Sequence, residues 1–182
     1  MENKKTTTLP PYAEIPAAPA NYNAANATAR SIDGLGYRFY WATDELTDNE
    51  LDFEPGNENR TPREVMDHFV GLSETILNTV NNEHNIRPYT EVTGTFEDKR
   101  LAVLNNLKMA SDKLRTLSNG DIENIKLTFE RGEKISEFPF WNLINGPIAD
   151  AIYHTGQIVA QRRSAGNPIN PNVNVFTGIN KK

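Results

Sequence analysis

The sequence predicts an all-α protein: a four-helix bundle with a short β-hairpin before the last helix and irregular N- and C-terminal tails. Three observations support this class. Apolar residues recur every three or four positions along four stretches, which is the period of an amphipathic helix. Threonines suited to helix N-caps precede two of these stretches. The intervals between the stretches are long enough for the turns or crossovers of a bundle.

Composition restricts the classes of function. The 182-residue chain can form one domain with a full core, and its 24 acidic and 19 basic residues give a net charge of −5, so nucleic acid is not an expected partner. Cysteine is absent, which excludes disulfides and thiolate nucleophiles and leaves His and carboxylate as the strong metal ligands. No apolar stretch reaches the roughly 18 residues of a membrane helix, and prolines interrupt the N-terminus where a signal peptide needs an apolar core. We therefore expect a soluble, cytoplasmic protein without a membrane partner.

The chain divides into an extended or disordered tail at 1–22, a helical domain at 23–168 and a C-terminal tail at 169–182. The tails are rich in Pro and Asn and lack apolar periodicity. The first helix is predicted at 24–42. Three aromatic residues widen its apolar face: Tyr37, Tyr40 and Trp41. If these residues are exposed they favour a homodimer, and otherwise they pack under the N-terminal tail.

The second helix has the clearest beginning in the chain and is predicted at 61–81. Thr61 is suited to the N-cap, Pro62 to the first helical position, and Glu64 to the third residue of a capping box. His68 follows on the edge of the apolar stripe. A lone histidine on such a face is more often a hydrogen-bonded structural residue than a ligand.

The third helix is predicted at 95–117, with Thr95 as its cap and Asn119-Gly120 as its end. The connection before it contains His84, which has no partner at a ligand spacing and is interpreted as a solvated loop histidine. Alternating apolar residues on both sides of Arg131-Gly132 then predict the short hairpin.

The fourth helix is predicted at 147–164, and Asn145-Gly146-Pro147 before it suits either a kink or the helix cap. Five apolar residues at helical spacing predict its buried face: Ile148, Ala151, Ile152, Ile158 and Val159. Four polar residues share one strip beside that face: Asp150, His154, Gln157 and Gln161. A carboxylate removed from water there costs several kcal/mol unless it is paired, so a cation is expected beside Asp150.

Asp150 and His154 are four residues apart, a spacing that lets two helical side chains converge on one metal ion. Taken alone the pair is a weak signal, because a hydrogen bond between Asp and His within a helix accounts for this spacing more often. His68, on another buried helix, adds a third ligand. Two histidines and one carboxylate can close one face of a divalent ion and leave the other face to water or substrate.

Two segments carry a resemblance to a known family. MDHFVGLSETI, around His68, and NGPIADAIYHTGQIVAQRRSAGNP, around His154, resemble the DinB-like (DinB/YfiT-like) family of metal-dependent four-helix-bundle proteins, over residues 24–168. The resemblance implies a bundle, commonly a homodimer, that holds zinc or nickel through three residues. It also implies transferases and isomerases that use thiols such as bacillithiol or mycothiol. His68 and His154 match two ligand positions, and Asp150 stands where the family usually has another histidine, which changes the charge of the site.

These observations predict a divalent-metal-binding protein with the ligands His68, Asp150 and His154. We expect an enzyme of the transferase, isomerase or hydrolase type that activates water or a thiol toward a small-molecule substrate. Zinc or nickel is the expected metal, iron and manganese are alternatives, and a low-molecular-weight thiol is a further candidate cofactor. Three residues are candidates for contacts to the ligands or the substrate: Asn142, Asn145 and Gln157. The alternative is a non-enzymatic binding or stress-associated protein whose metal site is structural or vestigial.

Overall fold

The computed structural model describes residues 10–56, 60–89 and 93–181. The elements in chain order are α1 (Ala24–Thr43), α2 (Asp48–Leu51), α3 (Pro62–Val80), β1 (Asn85–Ile86), α4 (Phe96–Leu114), α5 (Asn119–Asn124), β2 (Lys126–Arg131), β3 (Lys134–Pro139), α6 (Trp141–Leu143), a π-helical turn (Ile144–Ile148) and α7 (Ala149–Ser164). The protein is mostly helical and carries a small three-stranded sheet. None of the helices in these ranges has the length and apolarity that crossing a membrane requires.

Local capping fixes where α3 begins. The Thr61 side chain accepts the backbone N–H of Glu64, and the Glu64 carboxylate accepts the backbone N–H of Thr61 at 2.9 Å. Thr95 and Asp98 make the same reciprocal pair at the beginning of α4. Each such cap contributes about 1 kcal/mol because it pairs backbone donors that have no partner inside the helix. Both helix beginnings are therefore confirmed as predicted from the sequence.

The predicted end of the third helix, at residue 117, is wrong. Helix α4 ends at Leu114, and Asn119 begins α5 instead of terminating the helix before it. The reason is local, because the Ser118 side chain accepts the backbone N–H of Asp121 and its own N–H is accepted by that carboxylate at 2.8 Å. Ser118 thus caps a new helix where Asn-Gly alone indicated a stop.

The four long helices enclose one continuous core. Helix α4 packs between α1 and α3, and α7 contacts both α1 and α3 on the other side. The largest fully buried apolar side chains include Ile32, Leu35, Phe39, Met66, Phe69, Ile76, Leu104, Leu107 and Leu114. Each contributes about 2 kcal/mol by leaving water, so this core holds α3 and α7 side by side. That contact brings the second and fourth predicted helices together.

The sheet makes the all-α prediction incomplete. Strands β2 and β3 pair antiparallel around a turn in which Gly132 has a φ of +59°, which confirms the predicted hairpin. The two-residue strand β1 adds a parallel neighbour to β2, with Asn85 opposite Phe129. Two residues are too few to show alternation in a sequence. His84, predicted as a solvated loop residue, is half-exposed and lies 2.9 Å from the Glu130 carboxylate of β2.

Both ends of the described chain pack on α1. The backbone N–H of Ile15 donates to the carbonyl of Gly178 at 2.9 Å. The Tyr37 hydroxyl donates to Asn180 at 2.6 Å and accepts the backbone N–H of Asn174 at 3.1 Å. The predicted N-terminal tail includes residues 1–9, which lie outside the described residues.

The aromatic residues of α1 are not the exposed surface that a dimer would use. Tyr37 is fully buried, and Tyr40 packs against the core with the Arg100 guanidinium 4.7 Å above its ring. The indole N–H of Trp41 donates to the carbonyl of Ala13 at 3.1 Å. The sequence argument that linked these residues to a homodimer is therefore removed, and the homodimer stays a prediction.

Candidate metal centre

The chain bends immediately before the helix that carries Asp150. Helix α6, the π-helical turn and α7 follow one another without a loop, but Gly146 inside this segment has non-helical dihedral angles, φ −98° and ψ −105°. Pro147 follows and has no N–H to donate to the preceding turn. Of the two interpretations left open by Asn-Gly-Pro, the structure has the kink. It directs α7 along α3.

The structure brings His68, Asp150 and His154 together. His68 Nε2 lies 3.1 Å from Asp150 Oδ2, and His154 Nε2 lies 3.4 Å from Asp150 Oδ1. The two imidazole rings are nearly perpendicular, at 88°, with centroids 4.9 Å apart. One donor atom from each residue lies within 4.8 Å of the others. Donors bound to one ion at about 2.1 Å lie about 3 to 3.5 Å apart, so a small contraction of this group would complete a metal site.

Gln157 contacts the Nδ1 atom of the His154 ring. Its Oε1 lies 2.9 Å from His154 Nδ1, and an amide oxygen accepts hydrogen bonds, so this contact favours the tautomer with a proton on Nδ1. His154 Nε2 then directs a lone pair toward Asp150 Oδ1 at 3.4 Å. In that tautomer the two facing lone pairs repel, and either a metal ion between them or a proton on Nε2 removes the repulsion. The distance also exceeds the 2.7 to 2.9 Å typical of charge-assisted N–H···O⁻ bonds, which disfavours an intrahelical hydrogen bond as the explanation of this pair.

Asp150 is not removed from water, contrary to the sequence-based argument. Its side chain is 43% exposed, whereas those of His68 and His154 are 35% and 13% exposed. Desolvation therefore does not create a need for a cation at this carboxylate. The two imidazole nitrogens face it instead: His68 Nε2 is within hydrogen-bond distance, at 3.1 Å, and His154 Nε2 lies at 3.4 Å. The exposed side of the group remains accessible to water or substrate.

In the described ranges, the other polar residues predicted near the site do not hydrogen-bond to the three ligand residues. Asn142 is half-buried and Asn145 is exposed, both on the bent segment before α7, and neither side chain hydrogen-bonds to the three ligands. Gln161, on the same polar strip of α7, donates instead to the carbonyl of Arg60 at 2.6 Å, just before α3 begins. Its buried Oε1 has no hydrogen-bond partner in the described part of the chain.

The predicted buried face of α7 is correct in part. Ile148, Ala151 and Ile158 are buried, but Ile152 is 39% exposed and Val159 is only partly buried. Helical periodicity identifies the apolar side of a helix and not the element that covers it, so it gives the wrong result at Ile152.

Sequence reasoning missed a buried carboxylate elsewhere. Asp33 of α1 is fully buried, where its carboxylate pairs with the Arg115 guanidinium and accepts the Tyr12 hydroxyl at 3.1 Å. Burial, reinforced by the charge of Asp33, raises the pKa of Tyr12 above its ordinary value. A signal was present in the sequence, because Asp33 interrupts an otherwise apolar run between Ile32 and Leu35.

No protein-family model matches this chain, and no match was found among curated proteins. The resemblance to the DinB-like family thus depends on the two segments around His68 and His154. The geometry of these residues and of Asp150 stands independently of that resemblance, because it follows from the distances between their donor atoms.

Proposed function

We propose that this protein is a DinB-like four-helix-bundle protein that binds one divalent metal ion and uses it in a reaction. The convergence of His68, Asp150 and His154 carries the proposal, because Gln157 directs the lone pair of His154 toward the shared carboxylate. Imidazole and carboxylate donors suit zinc, nickel, iron or manganese, whereas calcium and magnesium prefer oxygen donors alone. The homodimer that the resemblance implies belongs to the same proposal, and light scattering tests it.

The donor set supports a reactive site over a purely structural one. Structural zinc sites are usually closed by four protein ligands, whereas catalytic sites keep one position open. In the ranges that the structure describes, this group contains three such residues, and Asp150 is its most exposed member. An ion bound there would supply Lewis-acid chemistry, lowering the pKa of a water or a low-molecular-weight thiol. Gln157 holds the tautomer that leaves His154 Nε2 free to coordinate.

Metal stoichiometry tests the ligand set. Protein purified without chelator should bind one equivalent of zinc or nickel, measured by equilibrium dialysis with elemental analysis. His68→Ala and His154→Ala should each abolish this binding, because two remaining ligands rarely retain a divalent ion. Asp150→Ala should weaken binding, and Asp150→His should retain it, since histidine supplies a replacement donor. His84→Ala is the control, because His84 contacts Glu130 on the sheet. Full metal occupancy in His154→Ala would contradict the assignment.

The enzymatic part of the proposal needs a separate assay. Thiol addition, isomerisation and ester hydrolysis should be screened with the metal-loaded protein, with and without a chelator. We expect at least one activity that a chelator removes, that metal restores and that His154→Ala lacks. An activity that survives both the chelator and His154→Ala would refute a metal-dependent reaction at this site.

A further inference from the structure

An apolar groove lies on the side of α7 that is opposite the metal ligands. At about 100° of rotation per residue, Ile152 and Val159 lie roughly half a turn away from the strip of Asp150 and His154. The groove encloses about 380 Å³, which is within the range of small-molecule sites. Its aliphatic lining comes from α7 and from the C-terminal segment: Ile152, Val159, Ile169, Val173 and Val175. Two of them, Ile152 and Val159, belong to the predicted buried face of α7 and are covered only in part by the described chain.

Gly156, an exposed residue in the middle of α7, is part of the groove lining. Glycine inside a helix is less stable than alanine because it loses more backbone entropy on folding. A Cβ added at Gly156 would meet no atom within 4 Å. Close packing within the described chain therefore does not require glycine here. The missing side chain leaves room in the groove instead.

Arg38 of α1 supplies the one charged side chain of the groove lining. Its Nη1 donates to the carbonyl of Gly34 at 2.9 Å, whereas Nε and Nη2 donate to no acceptor in the described ranges. The Nε–H and Nη2–H edge of a guanidinium matches the two oxygens of a carboxylate, so Arg38 has an unused bidentate donor beside an aliphatic surface.

We propose that this groove binds a small apolar carboxylate, an acid with an aliphatic or aryl tail. The carboxylate pairs with Arg38, and the tail lies over Gly156 between the aliphatic walls. An alcohol of the same length loses the ionic pairing, and an alkylammonium is repelled by Arg38. This site is separate from the metal centre and does not depend on the function proposed for it.

Octanoate serves as the probe, with the full chain and isothermal titration calorimetry. We expect saturable binding of one equivalent, with octanol and octylamine weaker by about tenfold or more, because charge-assisted hydrogen bonds are lost. Arg38→Gln should lower the affinity for octanoate to the affinity that the wild type has for octanol. Arg163→Gln is the matched control, because Arg163 is an exposed arginine near the end of α7 that does not line the groove, and it should bind octanoate as the wild type does.

A second pair of variants tests the room above Gly156. Gly156→Leu should fill the groove and abolish octanoate binding, whereas Gly156→Ala should keep most of it, and circular dichroism checks that both remain folded. Both should retain metal stoichiometry, which separates this result from a failure of the metal site. Unchanged octanoate affinity in Arg38→Gln or in Gly156→Leu would overturn the proposal. So would a concentration-dependent dimer that Gly156→Leu dissociates, because the groove would then be an interface between copies.

Discussion

Two aspartates in helices of this protein differ in burial and in the groups that contact their carboxylates. Asp33 is fully buried, and the protein itself neutralises its carboxylate through Arg115 and hydrogen-bonds it through Tyr12. Asp150 is 43% exposed and faces two imidazole nitrogens, without a Lys or Arg ion-pair partner in the described part of the chain. A carboxylate that the protein neutralises stabilises the fold. A carboxylate that is exposed and faces two imidazoles is the one that our proposal assigns to a metal ion.

The largest expected difference between the two aspartates is in stability. Asp33→Asn should lower the free energy of unfolding by about 3 kcal/mol, because the partly buried Arg115 loses its counter-charge. Asp150→Asn should change it by less than about 1 kcal/mol, because exposed ion pairs contribute little. Urea denaturation in the presence of a chelator measures both values. Equal losses in the two variants would show that the aspartates do not have separate roles.

Added metal should stabilise only variants that keep the three ligands. Zinc at 100 times its dissociation constant should raise the free energy of unfolding by about 2.7 kcal/mol, because it binds the folded state alone. We expect the same gain in Asp33→Asn under conditions where that variant is folded, and no gain in His154→Ala. Urea denaturation with and without zinc measures this gain in each protein. A gain that persists in His154→Ala would place the ion elsewhere.

A smaller effect is expected at Gln157, which contacts a ligand but is not one. Gln157→Leu removes the acceptor for His154 Nδ1 and should weaken metal binding by about tenfold. Gln157→Glu keeps an acceptor at this position and should retain the affinity. Competition with a chromogenic chelator gives both constants. Equal affinities in Leu and Glu variants would mean that the amide does not orient the ring.

The smallest effect concerns Tyr12 at alkaline pH. Burial raises the pKa of Tyr12, so above about pH 10 an unfolded tyrosine ionises while the folded one stays protonated. Stability from this group is fully present below that pH and is lost as the pH rises. Tyr12→Phe should cost about 1 kcal/mol at neutral pH through its lost hydrogen bond to Asp33 and should reduce the alkaline loss. An identical pH profile for wild type and Tyr12→Phe would contradict this linkage.

The elements predicted best from the sequence are those governed by neighbours along the chain. Thr61 with Glu64 and Thr95 with Asp98 define helix beginnings through contacts three residues away. The grouping of His68 with Asp150 and His154 was also predictable, because each lies at the edge of an apolar helical face. These predictions needed only periodicity and spacing.

What could not be predicted depends on partners far along the chain. Nothing near Asp33 indicates Arg115, which is 82 residues away. Nothing near Tyr37 indicates that Asn180, from a tail without periodicity, satisfies its hydroxyl. The exposure of Asp150 likewise depends on how far the surrounding elements cover its side chain. These are properties of packing between distant segments, which one helix pattern does not contain.

The pairing of both tails on α1 has a consequence for the order of folding. The contacts of Ile15 with Gly178 and of Tyr37 with Asn180 join segments at opposite ends of the described chain. During synthesis such contacts cannot form until the last of these residues has left the ribosome, whereas the helices form from local contacts. The Tyr37 hydroxyl therefore stays without its partners Asn174 and Asn180 while the rest of the core assembles, whereas the partner of the Trp41 indole, Ala13, is synthesised before it. The backbone N–H of Asn174, which donates to this hydroxyl, should be among the last to gain protection from hydrogen exchange.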